Sequence, residues 1–139
     1  MSSSLDADRQ AVVDEIRLFV EREVIPVAHD LEKNDIYPFD LIDKLRGLGV
    51  FGATISETYQ GLGFDLLTYV QIIEQLSRGW MSLAGILNTH ILVAYMIEKF
   101  GTQEQCQRFL PVMALGEKRG GICISEANAG SDVQAITMT

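Results

Sequence analysis

Apolar residues recur at helical spacing through most of this chain. Val12, Val13, Ile16, Phe19, Val20 and Val24 fall on one face, with acidic and basic residues opposite, which predicts an amphipathic helix from Ala7 to Ile25. Pro26 lacks an N–H and clashes with the preceding turn, so it is expected to bend or end that helix. Val27 to Asp35 could extend it as a short polar-faced segment. Pro38 stands where the next helix begins, a position at which a missing N–H is harmless. Leu41, Ile42 and Leu45 give that helix its stripe, and Gly47 or Gly49 can close it in a left-handed cap.

Val50 to Phe64 reads as loop, punctuated by Gly52, Gly61 and Gly63. Asp65 then resembles an N-cap for a helix through Arg78, carrying Leu66, Leu67, Val70, Ile73 and Leu76. From Trp80 to Ile97 no residue is charged, the minimum length for a membrane span. Asn88, Thr89 and His90 sit at its centre, which favours a buried helix over a span. Gly101 breaks that helix. Thr102 and Gln105 have the spacing of a capping box, and Phe109, Leu110 and Met113 are expected to face inward before Gly116 ends the last helix.

Past Gly120-Gly121 the pattern changes. Ile122-Cys123-Ile124-Ser125 reads as a short strand, followed by a loop of small and polar residues through Gly130-Ser131-Asp132. Helices followed by one strand predict a mainly α chain: a helical domain over residues 1–120, and over residues 121–139 the start of a β domain.

Composition narrows the function classes. The chain is 47% hydrophobic and 22% charged, as in soluble globular proteins. A net charge of −8 with no block of Lys and Arg argues against nucleic acid, which needs a basic stripe. Cys106 and Cys123 have no His partner nearby and are expected to be reduced, buried thiols. The first ten residues lack a basic region followed by an apolar one, so no secretory signal is expected. An intracellular, cytoplasmic location follows as the expectation, with a mitochondrial one left open.

Candidate chemistry concentrates in the tail. His29, near Asp30, is expected on a solvated face, and His90 on a buried helix, hydrogen-bonded to its surroundings; neither has a partner that would make it a proton-transfer group. Glu126 is expected to be a loop carboxylate accepting backbone N–H bonds. Ser125 supplies a hydroxyl, Gly130 permits close backbone approach, and Ser131 can donate its N–H and hydroxyl to a phosphate oxygen.

Ser125-Glu126-Ala127-Asn128-Ala129-Gly130-Ser131-Asp132 resembles the Thr-Glu-Pro-x-Ala-Gly-Ser-Asp signature of the acyl-CoA dehydrogenase flavoproteins. Gly47-Leu48-Gly49, Tyr59-Gln60-Gly61-Leu62-Gly63, and Lys99-Phe100-Gly101-Thr102-Gln103-Glu104-Gln105 with Arg108-Phe109-Leu110-Pro111 resemble further segments of the same family, in order. The likeness runs from about Asp8 to Thr139.

The resemblance implies an N-terminal helical domain that continues into a β domain and a C-terminal bundle, in a homotetramer binding FAD. It places the backbone around Ile122 and Ile124 and the hydroxyl of Ser125 at the flavin ring. It places Gly130 and Ser131 at the pyrophosphate, with Ser131 also near the acyl-CoA. Gly85 and Asn88 would border the acyl chain. The implied reaction is α,β-dehydrogenation of an acyl-CoA, a carboxylate beyond Thr139 taking the α-proton and electrons passing to an electron-transfer flavoprotein. Ala127 stands for the usual proline and loosens the turn; Ser125 stands for the usual threonine and keeps the hydroxyl. The same fold also carries flavin oxidases and monooxygenases, and a non-catalytic helical interaction module is the other alternative.

Overall fold

The computed structural model describes residues 2–138, with side chains from residue 7 onward. Among the described residues the regular structure is helical: α1 (Ser2–Phe19), α2 (Ile25–Lys33), α3 (Phe39–Gly47), α4 (Leu66–Gly79), α5 (Met81–Phe100) and α6 (Gln103–Ala114). The sequence periods account for the helices, and the buried stripes of α1, α3 and α6 follow the expected ones. On α4 the buried face is Thr68, Tyr69, Ile72 and Leu76; of the expected stripe Leu66, Leu67 and Val70 are exposed, only Leu76 being fully buried. Val13, Ile16 and Phe19 of α1 pack with Ile72 and Leu76 of α4 and with Leu83 and Leu87 of α5 in one core. A smaller core gathers Ile55, Ala94, Cys106, Leu110, Met113 and Ala114 around α6.

Helix starts follow side-chain chemistry. Asp65 accepts hydrogen bonds from the Thr68 N–H at 2.9 Å and the Thr68 hydroxyl at 2.8 Å, and it pairs with Arg9 at 2.9 Å. Those bonds hold its carboxyl below the ordinary range, the Thr68 backbone N–H contributing most. The Thr102–Gln105 capping box forms with both of its bonds, 3.2 and 2.8 Å. Gly49, at φ +72°, closes α3 as expected.

Pro26 does not stop the first helix. Val20–Val24 winds as a π turn in which the Ile25 N–H reaches back to the Val20 carbonyl, and Pro26 falls in the first turn of α2. The wider turn relieves the clash that the proline ring would make with an α-helical carbonyl, and it asks no N–H of the proline.

The stretch read as loop is part of the core. Val50, Phe51, Gly52, Ala53 and Ile55 are all buried. Their backbone is satisfied by a short return segment: Leu62 N–H to Gly52 O at 2.8 Å, Phe64 N–H to Ala53 O at 2.8 Å, and Gly63 N–H to Ile55 O at 2.9 Å. A Cβ at Gly61 would lie 2.0 Å from the Ile55 carbonyl oxygen, so only glycine allows this approach.

Met81–Phe100 is long and apolar enough to cross a membrane by length and composition, yet it packs one face into the bundle. Leu83, Ala84, Leu87, His90, Ile91 and Ala94 are buried, whereas Leu92, Tyr95, Met96 and Phe100 are exposed. The expectation of a buried helix therefore holds for one face.

The strand expected at Ile122–Ser125 is not formed. A strand exists only through its ladder, and among the described residues the sole β pairing is a bridge between Glu126 and Ala129. For the same reason Cys123 is exposed rather than buried, while Cys106 is buried as expected.

Candidate functional site

The tail leaves the bundle at a fixed point. His90, fully buried on α5, faces the Phe51 carbonyl through Nε2 at 3.1 Å, and its Nδ1 accepts the Gly120 N–H at 3.3 Å. These partners require a neutral ring protonated on Nε2, which donates to Phe51 O. Burial pulls the His90 pKa below its ordinary 6.5, opposed by the carbonyls of Phe51 and Met113. A Cβ at Gly120 would come within 2.6 Å of the Val93 side chain, so the backbone lies directly on α5. Next to it Arg119 donates to the Tyr37 hydroxyl at 2.6 Å. The sequence identified His90 as buried and hydrogen-bonded; partners 39 and 30 residues away leave no local signal.

Beyond this anchor the predicted site residues share one exposed segment. Ile122 is half-buried; Ile124, Ser125, Gly130 and Ser131 are exposed. None of these five makes a hydrogen bond among the described residues. Their N–H groups and the two serine hydroxyls are free donors, the donor set that an anionic cofactor needs, and a Cβ at Gly130 would meet nothing within 4 Å. The chemistry of these donors fits an anionic group.

Glu126 holds the segment's shape. Its Oε2 accepts the Thr137 N–H and hydroxyl, both at 3.0 Å, and its Oε1 accepts the Met138 N–H at 2.8 Å. The Thr137 and Met138 N–H bonds lower its pKa, so it stays ionised. The expected role as an acceptor of backbone N–H groups is the one observed. Asp132 in turn accepts the Gln134 N–H at 3.2 Å and starts a short 3₁₀ turn, Val133–Ala135.

A second feature lies on α5. A cleft of about 470 Å³ is walled by Phe64, Leu66, Tyr69, Ile91, Leu92 and Tyr95, with Thr54 and Asn88 as its polar groups. Tyr69 donates its hydroxyl to Asn88 Oδ1 at 2.7 Å, and burial pushes the phenol up to about 12. Asn88 is thus in the cleft wall. Gly85, one turn earlier and half-buried, is not.

The described residues thus form a helical bundle that ends in a donor-rich, self-bracing tail, with an apolar cleft on α5. Residues 6–117 match the family described as acyl-CoA dehydrogenase, N-terminal domain. The chain is 35% identical over 133 residues to the short-chain specific acyl-CoA dehydrogenase of Clostridium acetobutylicum, covering 95% of this chain and 35% of that one. It superposes on butyryl-CoA dehydrogenase from Megasphaera elsdenii with a TM-score of 0.84 at 32% identity, covering 90% of this chain and 34% of that one. Against an acyl-CoA dehydrogenase complexed with FAD from Bacillus anthracis the TM-score is 0.80 at 28% identity, covering 94% and 22%. The chain belongs to the acyl-CoA dehydrogenase family of flavoprotein oxidoreductases. It spans about a third of the length of the first two relatives.

Proposed function

We propose that this chain forms the N-terminal helical part of an FAD-dependent acyl-CoA dehydrogenase, with residues 1–120 as the helical domain and residues 121–139 as the entry to the next. The observation that carries the reading is the free donor set at Ile122, Ile124, Ser125, Gly130 and Ser131, held on a tail anchored at His90. The backbone at Ile122 and Ile124 and the hydroxyl of Ser125 bind the flavin ring. The N–H groups of Gly130 and Ser131 bind the pyrophosphate, and the Ser131 hydroxyl also reaches the acyl-CoA. FAD, when bound, supplies the two-electron acceptance that α,β-dehydrogenation requires.

The chain's own residues bind and orient. Asn88 and the apolar wall of the α5 cleft line the acyl chain, with Gly85 on the same side of the helix, and the Tyr69 hydroxyl fixes the Asn88 amide. Phe100, Leu66 and Leu67, 77%, 72% and 69% exposed, are apolar surface of the kind that further domains and subunits of a homotetramer would cover. The base that takes the α-proton is supplied from outside this chain, and an electron-transfer flavoprotein accepts the electrons. The site works in an intracellular compartment.

The test uses the polypeptide made from the complete reading frame. Stripped of flavin and titrated with FAD, the wild type is expected to bind one equivalent per chain. Gly130→Val, which thickens the backbone facing the pyrophosphate, is expected to bind at least about tenfold more weakly. Equal affinity of the two proteins would contradict the assignment of this loop.

A further inference from the structure

We propose that Glu126 is a positioning residue: its carboxylate holds the flavin-contact loop closed in its binding shape and takes no part in proton transfer. The inference rests on the FAD reading above.

One residue secures the loop at both ends. The Glu126 backbone exchanges two hydrogen bonds with Ala129, its N–H to Ala129 O at 2.8 Å and Ala129 N–H to its own O at 3.2 Å. Its side chain reaches across to residues 137 and 138 with three more. Between these two fastenings lie Gly130, Ser131 and Asp132. Nothing else ties residues 137 and 138 back to the start of the loop among the described residues. A glycine-containing loop without such a tie samples many backbone states, and a ligand that needs one of them bears the ordering cost on binding.

The chemistry excludes a base. Both carboxylate oxygens are engaged as acceptors, and the N–H donors that hold them favour the ionised form. A general base works best with a pKa raised toward the working pH, the opposite of what is built here. The negative charge adds nothing to the affinity for an anionic pyrophosphate either, since like charges repel. What Glu126 contributes is acceptor atoms at fixed places, and a neutral acceptor should replace it in part.

Four proteins made from the complete reading frame test this: wild type, Glu126→Ala, Glu126→Gln and Thr137→Val. Two quantities are read for each, the FAD dissociation constant and the melting midpoint of the flavin-free protein. Glu126→Ala is expected to weaken FAD binding about tenfold, the worth of one or two charge-assisted hydrogen bonds. Thr137→Val, which removes one of the three bonds, should lose about threefold, and Glu126→Gln, which keeps one acceptor oxygen, should stay within about threefold of wild type. The flavin-free midpoints should differ by no more than about 4 °C, because the tie orders only an exposed loop. Unchanged FAD affinity in Glu126→Ala overturns the proposal. So does an equal loss in Glu126→Gln and Glu126→Ala, which would assign the effect to charge, or a fall in the flavin-free midpoint well beyond about 4 °C, which would make the residue part of the global fold. A wild type that binds no FAD overturns the functional reading itself, and is told apart because every variant would then be equally inert.

Discussion

His90 Nδ1 accepts the backbone N–H of Gly120 at 3.3 Å, and through this bond the central helix fixes the point where the tail departs. The opposite ring nitrogen is used at the Phe51 carbonyl, so one buried imidazole joins α5, the buried segment after α3, and the candidate site. Replacing it with leucine leaves the Phe51 carbonyl and the Gly120 N–H unpaired. His90→Leu is expected to lower unfolding stability by about 2–4 kcal/mol, read from urea denaturation. A loss below about 0.5 kcal/mol, the range of ordinary surface substitutions, would contradict this network.

The same residue gives a pH dependence with a definite sign. In the folded chain burial holds the His90 pKa below 6.5, while the unfolded chain titrates near that value. Between the two values the unfolded state binds more protons, so stability rises with pH across this window and levels off above about 6.5. Urea midpoints measured across this range should fall toward acid in the wild type, and fall less in His90→Gln, which does not titrate. Parallel curves would show that His90 does not carry the effect.

Gly61 has no tolerance for a side chain, since a Cβ would stand 2.0 Å from the Ile55 carbonyl oxygen. Gly61→Ala must push the return segment off the buried residues 50–55. The expected cost is about 2–4 kcal/mol in thermal or urea unfolding, in the range of strong overpacking. Gly121→Ala, where a Cβ meets nothing within 4 Å, is the control and should be neutral.

Thr102 anchors the capping box of α6. Thr102→Ala removes one bond and frees the Gln105 side chain, and should cost about 1 kcal/mol. A double substitution with Gln105→Ala should cost little more than the first, because the two bonds act together. Simple additivity would contradict a reciprocal box.

The 139-residue chain by itself is expected to bind FAD only weakly, because the donors of the tail are exposed and line one side of a cofactor. Its exposed apolar residues, among them Leu66, Leu67, Tyr95 and Phe100, should also drive self-association. Light scattering of the isolated chain checks the second point, and monodisperse monomers would contradict it.

What could be read from the sequence was local. Asp65 and Thr102 announced their helices because a cap and its partner lie three residues apart, and the apolar stripes of α1 and α6 lie within single helices. On α4 the apolar residues Leu66, Leu67 and Val70 stay exposed, and which face is buried is set by packing against α1 and α5. Pro26 signalled an interruption of the helix, and the extension after it is α2; the form of the interruption, a π turn over Val20–Val24, was not legible from the proline itself. The residues Val50 to Phe64 looked like loop because their burial depends on contacts with α6 and on a return segment with no period. The strand at Ile122–Ser125 failed for a similar reason: alternating apolar residues favour a strand, and only a partner makes one. In the tail, Glu126 was legible as an acceptor, while its donors at Thr137 and Met138 emerged only from the fold.

The most direct measurement is an anaerobic titration of the protein made from the complete reading frame, loaded with FAD, with butyryl-CoA as the probe acyl-CoA. The account predicts a yellow flavin band that bleaches in proportion to added acyl-CoA, with the enoyl-CoA recovered as product. A protein that takes up no FAD, or whose band is unchanged by butyryl-CoA and by longer and branched acyl-CoA thioesters, would contradict it.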